Sequence, residues 1–590
     1  MTKNLGSVFA EEIVKGQKRR FLRKDFDDDS QNLPAQAGLQ MGRFFLIVLI
    51  FIFSLGLLLA KLFTLNILEG DKYHKLSSEN RIRETKIFAP RGIIYDRNKH
   101  PLVRNIPTFK MPDGEIFYET IPATATGKIA ESVSRDYIYK EDNAHVIGFV
   151  AQANEQEIKS HKQTLGGSLG KMGIEKAYDE ILRGTDGKTL QEVDALGQVV
   201  RVLGNVDPVS GDNLTLSIDQ NLQTIARHEL EGKKGIVLAQ NPKNGEILTL
   251  FSSPSFDPNK VIRNEDLESI FSDKNQPFFN RVITGLYPPG STFKIITAIA
   301  ALESGAINKN TKIEDTGILQ VGQFSFGNWY FLQYGKKEGM VDIISALKRS
   351  NDIFFYKTGE ATGIDILSAW GKKIGLGSTL GIDIEGEAAG VMPDPVWRQK
   401  VRGTDWFLGD TYHVAIGQGD LQVTPLQMNA WTNVIANNGK ICRPHLVSNL
   451  SHLGNLCKDL GIKKETISLI KEGMKEACSP ASPAGGPGGT GWPFFQFKVE
   501  SSKFKVDGID FLDTYESTTS ANKMVGIPVA CKTGTAEFGD PNNRTHAWFT
   551  VFAPVVNPQI SVTVLVEEGG EGSNVAAPIA KKILEKWFGN

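Results

Sequence analysis

The order of strand and helix signals predicts an α+β fold, an antiparallel sheet covered by helices. Three observations carry this expectation. KGIVLAQNPKNGEILTLF, residues 234–251, holds two β-branched runs around Asn244-Gly245, a hairpin signature. A tract of alternating helices and turns follows, from the apolar run after Ser291 to about residue 475. Near the end, IPVACKTGTAEF (527–538) reads as a strand, AWFTVFAP and ISVTVLVEE as a second hairpin, and AAPIAKKILEKWFG as a closing helix.

The elements before this core follow in chain order. Residues 44–60, FFLIVLIFIFSLGLLLA, carry no charge, and with LFTLNIL the apolar stretch reaches Leu68. A bilayer core needs about 20 helical residues, so this is read as a membrane span, with Lys61 snorkelling. A leader of over forty residues and no small-x-small cleavage site argue against a cleaved signal peptide. Lys15, Lys18, Arg19, Arg20, Arg23, Lys24 and Arg43 precede the span, which places residues 1–43 in the cytoplasm as a largely disordered tail. The expected layout is therefore a tail (1–43), a span (44–66), an extracytoplasmic β-rich region (67–205) and the α+β domain (206–590).

Within 67–205, IRETKIFAP alternates as a strand and YDRNKHP is a turn between extended pieces. Residues 111–145 are polar and weakly patterned, and HVIGFV is expected as a short strand. IEKAYDEILRG reads as a helix with Gly184 near its C-cap, and LQEVDALGQVVRVL as a hairpin turning at Leu196-Gly197. DQNLQTIARHELE, after the boundary, is an amphipathic helix. SPASPAGGPGGTG, 479–491, is a loop by composition.

Bulk numbers exclude several classes. The 590 residues carry a formal net charge of -1, so no overall basic field points to nucleic acid. Nine scattered histidines form no metal-ligand spacing, and neither a metal nor any other cofactor is expected. Four cysteines, Cys442, Cys457, Cys478 and Cys531, are too few for a disulfide-built scaffold. Cys457 and Cys478 flank a predicted helix and are one candidate pair, which spacing does not establish. Cys531, next to Lys532, is expected on the opposite sheet face, in the core.

Three motifs carry the chemistry. Ser291-Thr-Phe-Lys294 opens an apolar helix after Pro288, Pro289 and Gly290. Ser350-Asn351-Asp352 stands in KRSNDIFFYKTG, and Lys532-Thr533-Gly534-Thr535 on the strand. Taken singly, each has a plainer reading as a helix cap, a turn or an ordinary strand. Together, in this order, they form the set of a serine acyltransferase. A serine hydroxyl is a weak nucleophile and needs a base within reach. Lys294, one turn on, lies on the same helix face and serves as that base if burial and a nearby cation depress its pKa. Lys532 supplies the cation, Ser350 relays a proton to the leaving group, and Asp352 binds the lysine or the substrate backbone. Thr533 offers a hydroxyl to a substrate carboxylate, and Gly534 is expected to leave room for substrate. Asn351 and Thr535 complete the candidate substrate and oxyanion contacts. The backbone N–H groups of Ser291 and Thr535 are the oxyanion donors, each worth about 2.7–4 kcal/mol in acyl transfer.

The chain resembles the class B penicillin-binding proteins, the monofunctional peptidoglycan D,D-transpeptidases. PRGIIYDRN (90–98) and GIEKAYDEILRGTDG resemble the family's pedestal segments, and LYPPGSTFK, IGQGDLQVTPLQM and KTGTAEF its catalytic blocks. WFLGDT before IGQG, together with HAWFTVFAPV and EEGGEGSNVAAPIAKKIL, is similar to the elongation type, penicillin-binding protein 2. The resemblance implies a β-rich pedestal with a shortened head and a β-lactamase-like transpeptidase domain. It implies stem peptides ending in D-Ala-D-Ala as substrate, β-lactams as acylating inhibitors, and partners in a SEDS-family glycan polymerase and rod-shape scaffold proteins at the membrane. Asp352 in place of the commoner asparagine fits this type. Some relatives bind a metal between the first two motifs; here that interval, 314–340, has no cysteine or histidine. A septal-type transpeptidase, a D,D-carboxypeptidase and a non-catalytic sensor or polymerase-activating scaffold are the alternatives. No role is assigned to 479–526.

Overall fold

In the computed structural model, residues 38–79, 81–111, 116–120, 130–154, 157, 167–194, 196–448, 456–481, 487–495, 497–500 and 524–589 are described. They divide into two compact units. One holds the described residues up to Glu84 with Leu190–Leu203, the other Thr85–Thr189 with the described residues from Gly204 on.

The first unit begins with the helix Gly38–Phe63, which continues as a π turn, Thr64–Leu68. The span Gly42–Leu68 has a mean hydropathy of 2.7 with no part of it buried, and is long and apolar enough to cross a membrane. At about 1.5 Å rise per residue it exceeds a hydrocarbon core of about 30 Å. The expected tail lies outside the described residues, apart from 38–43, which are helical. The hairpin expected at Leu196-Gly197 is present: Gly187–Val193 and Val199–Val206 are its strands, and Gly197 takes the left-handed φ of 77° that its turn requires. These strands form a sheet with Ile82–Ile87.

The second unit is built on a five-stranded antiparallel sheet, ordered Ile247–Ser253, Gly235–Gln240, Ile560–Val566, Thr545–Ala553, Ala530–Glu537. Side chains alternate between its faces. Val237, Ala239, Val562, Val564, Phe549 and Cys531 pack with the helices Gln220–Glu229 and Ala576–Phe588. Ile236, Leu238, Leu565, Trp548 and Ala536 pack with the helices Lys294–Ser304 and Pro425–Ala436. The inner strands read as nearly continuous apolar runs because both of their faces are covered, whereas the edge strand Ala530–Glu537 carries Lys532 and the threonines and exposes Thr535 and Glu537. Burial also selects the caps: Asp219 accepts from the N–H groups of Asn221 and Leu222, and Thr424 forms a capping box with Gln427.

The two pedestal segments meet on one buried charge cluster. Arg91 Nη2 donates to Glu175 at 2.8 Å and its Nη1 to Asp179 at 2.8 Å, while Arg135 Nε donates to Glu175 at 2.8 Å. Glu175 is fully buried, so removing its charge would leave two guanidiniums in the interior with one carboxylate. This cluster explains why PRGIIYDRN and GIEKAYDEILRG carry charges at positions that close on each other.

Several expectations are corrected. HVIGFV is a turn of helix, Ala144–Ile147, and a strand only from Val150; Gly148 breaks the run at φ 74°, where a Cβ would lie 1.9 Å from the Met172 carbonyl oxygen. The polar stretch 111–145 holds a strand, Ala130–Tyr137, set by backbone pairing with Pro101–Lys110 rather than by side-chain alternation. The tract to residue 475 is not helices and turns alone, since three two-stranded ribbons interrupt it, among them Ile318–Val321 with Phe324–Gly327. Cys457 is bonded to Cys442 and Cys478 to Cys531, so Cys457 and Cys478 do not pair. Sequence separation is blind to this, because sheet and ribbon register brings the true partners together.

Candidate active site

Pro288 and Pro289 cannot extend a helix, and Gly290 turns the chain at φ 56° into a 3-10 turn, Gly290–Phe293, that feeds the helix Lys294–Ser304. Two contacts hold this turn. Trp548 Nε1 donates to the Pro288 carbonyl at 3.1 Å, and the Gly290 N–H donates to the Gly417 carbonyl at 2.8 Å. A Cβ on Gly417 would lie 2.0 Å from the Gly290 carbonyl oxygen, so the IGQG block locks the turn that carries Ser291 by close backbone approach. Ser291 is partly exposed at the start of the helix, while Lys294 is fully buried.

Ser350 ends the helix Ile343–Arg349 in the left-handed region, φ 56°. A non-glycine residue there stores about 1 kcal/mol or more of strain, a common feature of functional sites. The turn aims Ser350 between the two lysines. Lys294 Nζ donates to the Ser350 carbonyl at 2.7 Å and to Asp352 Oδ1 at 2.6 Å, and lies 3.3 Å from Ser350 Oγ. Lys532 Nζ donates to Ser350 Oγ at 2.8 Å and to the Thr533 carbonyl at 3.1 Å. The three motifs thus share one polar node around a single hydroxyl.

Its electrostatics suit amine catalysis. Burial pushes the Lys294 ammonium below its ordinary pKa, and Asp352 offsets part of that. Burial pushes Lys532 well down, and the neighbouring Lys294 adds to it. Both amines are fully buried beside the buried Asp352 carboxylate, so burial disfavours charge on each of them and Asp352 restores part of it at Lys294.

Two expected site residues sit differently. Asn351 is fully buried; its Oδ1 accepts from the Phe354 N–H at 2.9 Å as a helix N-cap, and its Nδ2 donates to Glu338 at 3.0 Å. Its side chain is engaged inside the fold, not offered to substrate. Gly534 is not a gap for substrate either: a Cβ there would lie 3.0 Å from Thr292 Cγ2 and 3.2 Å from the Pro289 carbonyl oxygen, so the space belongs to the turn that carries Ser291. Thr533 and Thr535 lie on the edge strand of the sheet, and Thr535 is exposed.

Other residues complete the site without a motif to announce them. Asp352 Oδ2 accepts from the Trp329 N–H at 2.9 Å, and the Asp352 N–H donates to the buried Asn328 Oδ1 at 3.1 Å. Asn328 Nδ2 and the Glu338 N–H both donate to Asp315 Oδ2, each at 2.9 Å. This Asp315–Asn328 hub orders the interval between the first two motifs. Asp315 closes the short strand Ile313–Asp315 and Asn328 is the N-cap residue of the helix Trp329–Tyr334, and both are turn-favouring residue types, which is all that local sequence could reveal.

The penicillin binding protein transpeptidase domain matches residues 235–494 and 496–585. The chain belongs to the penicillin-binding protein 2 family. Residues 117–216 match the penicillin-binding protein dimerisation domain. The peptidoglycan D,D-transpeptidase MrdA of Salmonella typhimurium is 30% identical over 644 residues, covering 96% of this chain and 97% of the relative. Penicillin-binding protein 2 of Helicobacter pylori, solved in complex with MreC, superposes with a TM-score of 0.70 at 28% identity, covering 86% of this chain and 98% of that one. A chain from a peptidoglycan synthase complex that coordinates polymerization and crosslinking superposes with a TM-score of 0.69 at 25% identity, covering 93% and 98%.

Proposed function

We propose that this chain is an elongation-type peptidoglycan D,D-transpeptidase that crosslinks stem peptides through an acyl-enzyme on Ser291. The observation that carries this reading is the shared node, in which Lys294 and Lys532 both reach Ser350 Oγ. Ser291 Oγ attacks the carbonyl of the D-Ala-D-Ala bond and gives its proton to the neutral amine of Lys294. Ser350, whose oxygen accepts from Lys532, donates its own proton to the leaving nitrogen and takes one in turn from Lys294, 3.3 Å away. The N–H groups of Ser291 and Thr535 bind the oxyanion. The terminal D-Ala departs, and an amine of a neighbouring stem takes the acyl group from Ser291. Asp352 keeps Lys294 pointed at the node and sets how readily it loses its proton.

The span Gly42–Leu68 anchors the protein, and the cations before it keep the N-terminus cytoplasmic and the catalytic unit outside. The region before about residue 205 is the pedestal and the remainder the catalytic domain. A glycan polymerase and a rod-shape scaffold are the partners, in line with the assemblies in which the similar structures were solved.

The test is labelling of solubilised protein with a fluorescent penicillin. Wild type is expected to form a covalent adduct that maps to Ser291 and disappears in Ser291→Ala. Equal labelling of that variant would move the nucleophile elsewhere. Crosslinking of lipid-linked precursor in the presence of a glycan polymerase then separates a transpeptidase from a carboxypeptidase, which would release D-Ala without forming dimers.

A further inference from the structure

The loop that ends in GGTG, residues 488–491, carries none of the three motifs, yet it reaches the cleft. Thr533 Oγ1 donates to Thr490 Oγ1 at 2.8 Å. The loop is held there from three directions. The Thr490 N–H donates to the Lys348 carbonyl at 3.3 Å, in the helix that ends at Ser350. Arg349 Nη1 donates to the Gly488 carbonyl at 2.8 Å. Behind Thr490, the Gly491 N–H donates to the Ala477 carbonyl at 2.7 Å. A Cβ on Gly491 would lie 2.6 Å from Cys531 Sγ and 2.9 Å from Cys478 Sγ, so the loop lies directly on the Cys478–Cys531 disulfide. Such fixing is far more than a surface linker needs.

We propose that Thr490 is a positioning residue for substrate carboxylate recognition, acting through the Thr533 hydroxyl. The inference rests on the acyl-enzyme reading above. A hydroxyl has one proton and two acceptor lone pairs. In the structure Thr533 directs its proton at Thr490. A carboxylate accepts only, so on its arrival Thr533 must turn its proton outward. Thr490, half-buried and with a proton of its own, reverses the bond by donating to Thr533 Oγ1. The exchange leaves no polar group unpaired and polarises Thr533 toward the anion. Apolar valine at 490 would set a methyl group against the Thr533 lone pairs and leave that hydroxyl unsupported.

The experiment compares acylation of the full-length protein by a penicillin with its free carboxylate and by the methyl ester of the same penicillin. The acid-to-ester ratio of rate constants is expected to fall roughly three- to tenfold in Thr490→Val, the worth of one neutral hydrogen bond, and to return to the wild-type value in Thr490→Ser. Thr490→Ala repeats the measurement should valine not fold, and thermal melting checks each variant. A ratio unchanged in both Val and Ala variants overturns the proposal, even if both probes react more slowly. A ratio that falls but is not restored by serine also overturns it, since shape rather than the hydroxyl would then matter. If wild type is acylated by neither probe, the acyl-enzyme reading fails and takes this inference with it; normal labelling with an invariant ratio removes the Thr490 role alone.

Discussion

Lys532 donates to Ser350 Oγ at 2.8 Å across 182 residues of chain, joining the edge strand to the helical side of the cleft. The same oxygen lies 3.3 Å from Lys294 Nζ. Two amines meeting at one hydroxyl, with burial lowering both, make proton transfer the property most exposed to mutation and pH.

The acylation rate at Ser291 is expected to rise with pH. Lys294 is pushed below its ordinary value, chiefly by burial, and its neutral fraction grows as pH climbs through the lowered pKa. Asp352 opposes that shift, so Asp352→Asn moves the rising limb to lower pH, while Lys294→Ala lowers the rate about 10²–10⁴-fold, the usual worth of a general base. Stopped-flow acylation at several pH values decides; an unmoved limb in Asp352→Asn would remove Asp352 from the proton chemistry.

Gly417→Ala is expected to abolish acylation while the secondary structure persists. The new Cβ would need the space 2.0 Å from the Gly290 carbonyl oxygen, and Gly417 also has a φ of 82°, unfavourable for alanine. Circular dichroism and penicillin labelling, measured side by side, check this.

His145 makes stability acid-sensitive. Burial lowers its pKa to about 4 from 6.5, and the neutral ring donates from Nε2 to the Pro277 carbonyl at 2.8 Å. Because the folded pKa is depressed, the unfolded chain takes the proton first. Stability is full above pH 6.5, falls as pH drops toward 4 and then levels, for a total of about 3 kcal/mol. Denaturant titrations of wild type and His145→Gln between pH 4 and 7 should differ by that slope.

Glu175→Ala is expected to cost about 3–5 kcal/mol of unfolding free energy by stranding Arg91 and Arg135. Denaturant unfolding followed by fluorescence reads this directly. A loss below about 1 kcal/mol would mean that water or Asp179 compensates both guanidiniums.

The two disulfides should differ in consequence more than in stability. With sequence separations of 53 and 15, chain entropy assigns about 4 kcal/mol to Cys478–Cys531 and about 3 kcal/mol to Cys442–Cys457. Only the first adjoins Lys532, so the Cys478→Ser/Cys531→Ser double variant should acylate more slowly, whereas Cys442→Ser/Cys457→Ser should not. Penicillin labelling at a temperature where both pairs stay folded makes the comparison.

The strong periodic elements were legible in the chain: the span, the Asn244-Gly245 hairpin, the closing strands and the terminal helix. Their signals are local, since a β-branched run or an uninterrupted apolar stretch states its own environment. Ser291, Lys294, Ser350 and Lys532 stand out in the chain for another reason, because acyl transfer by serine and amine calls for those residue types in that order, and the structure gathers Lys294 and Lys532 on Ser350. HVIGFV was misread because its apolar run is too short to separate helix from strand, and a single glycine approaching Met172 decided it. Asn351 was read as a substrate contact, yet its capping bond to Phe354 is the ordinary fate of an asparagine before a helix.

From its amino acids alone, then, this protein had its apolar span, its individual strands and its three motifs determined, since each is set by neighbours within a few residues. Pairing over long separations was decided only by the folded molecule: which cysteines join, which hydroxyl both lysines reach, that Asn328 backs Asp352, and that a Gly-rich loop brings Thr490 to Thr533. Those contacts follow from strand register and from backbones that approach closely enough to exclude a methyl group, and no local pattern records either.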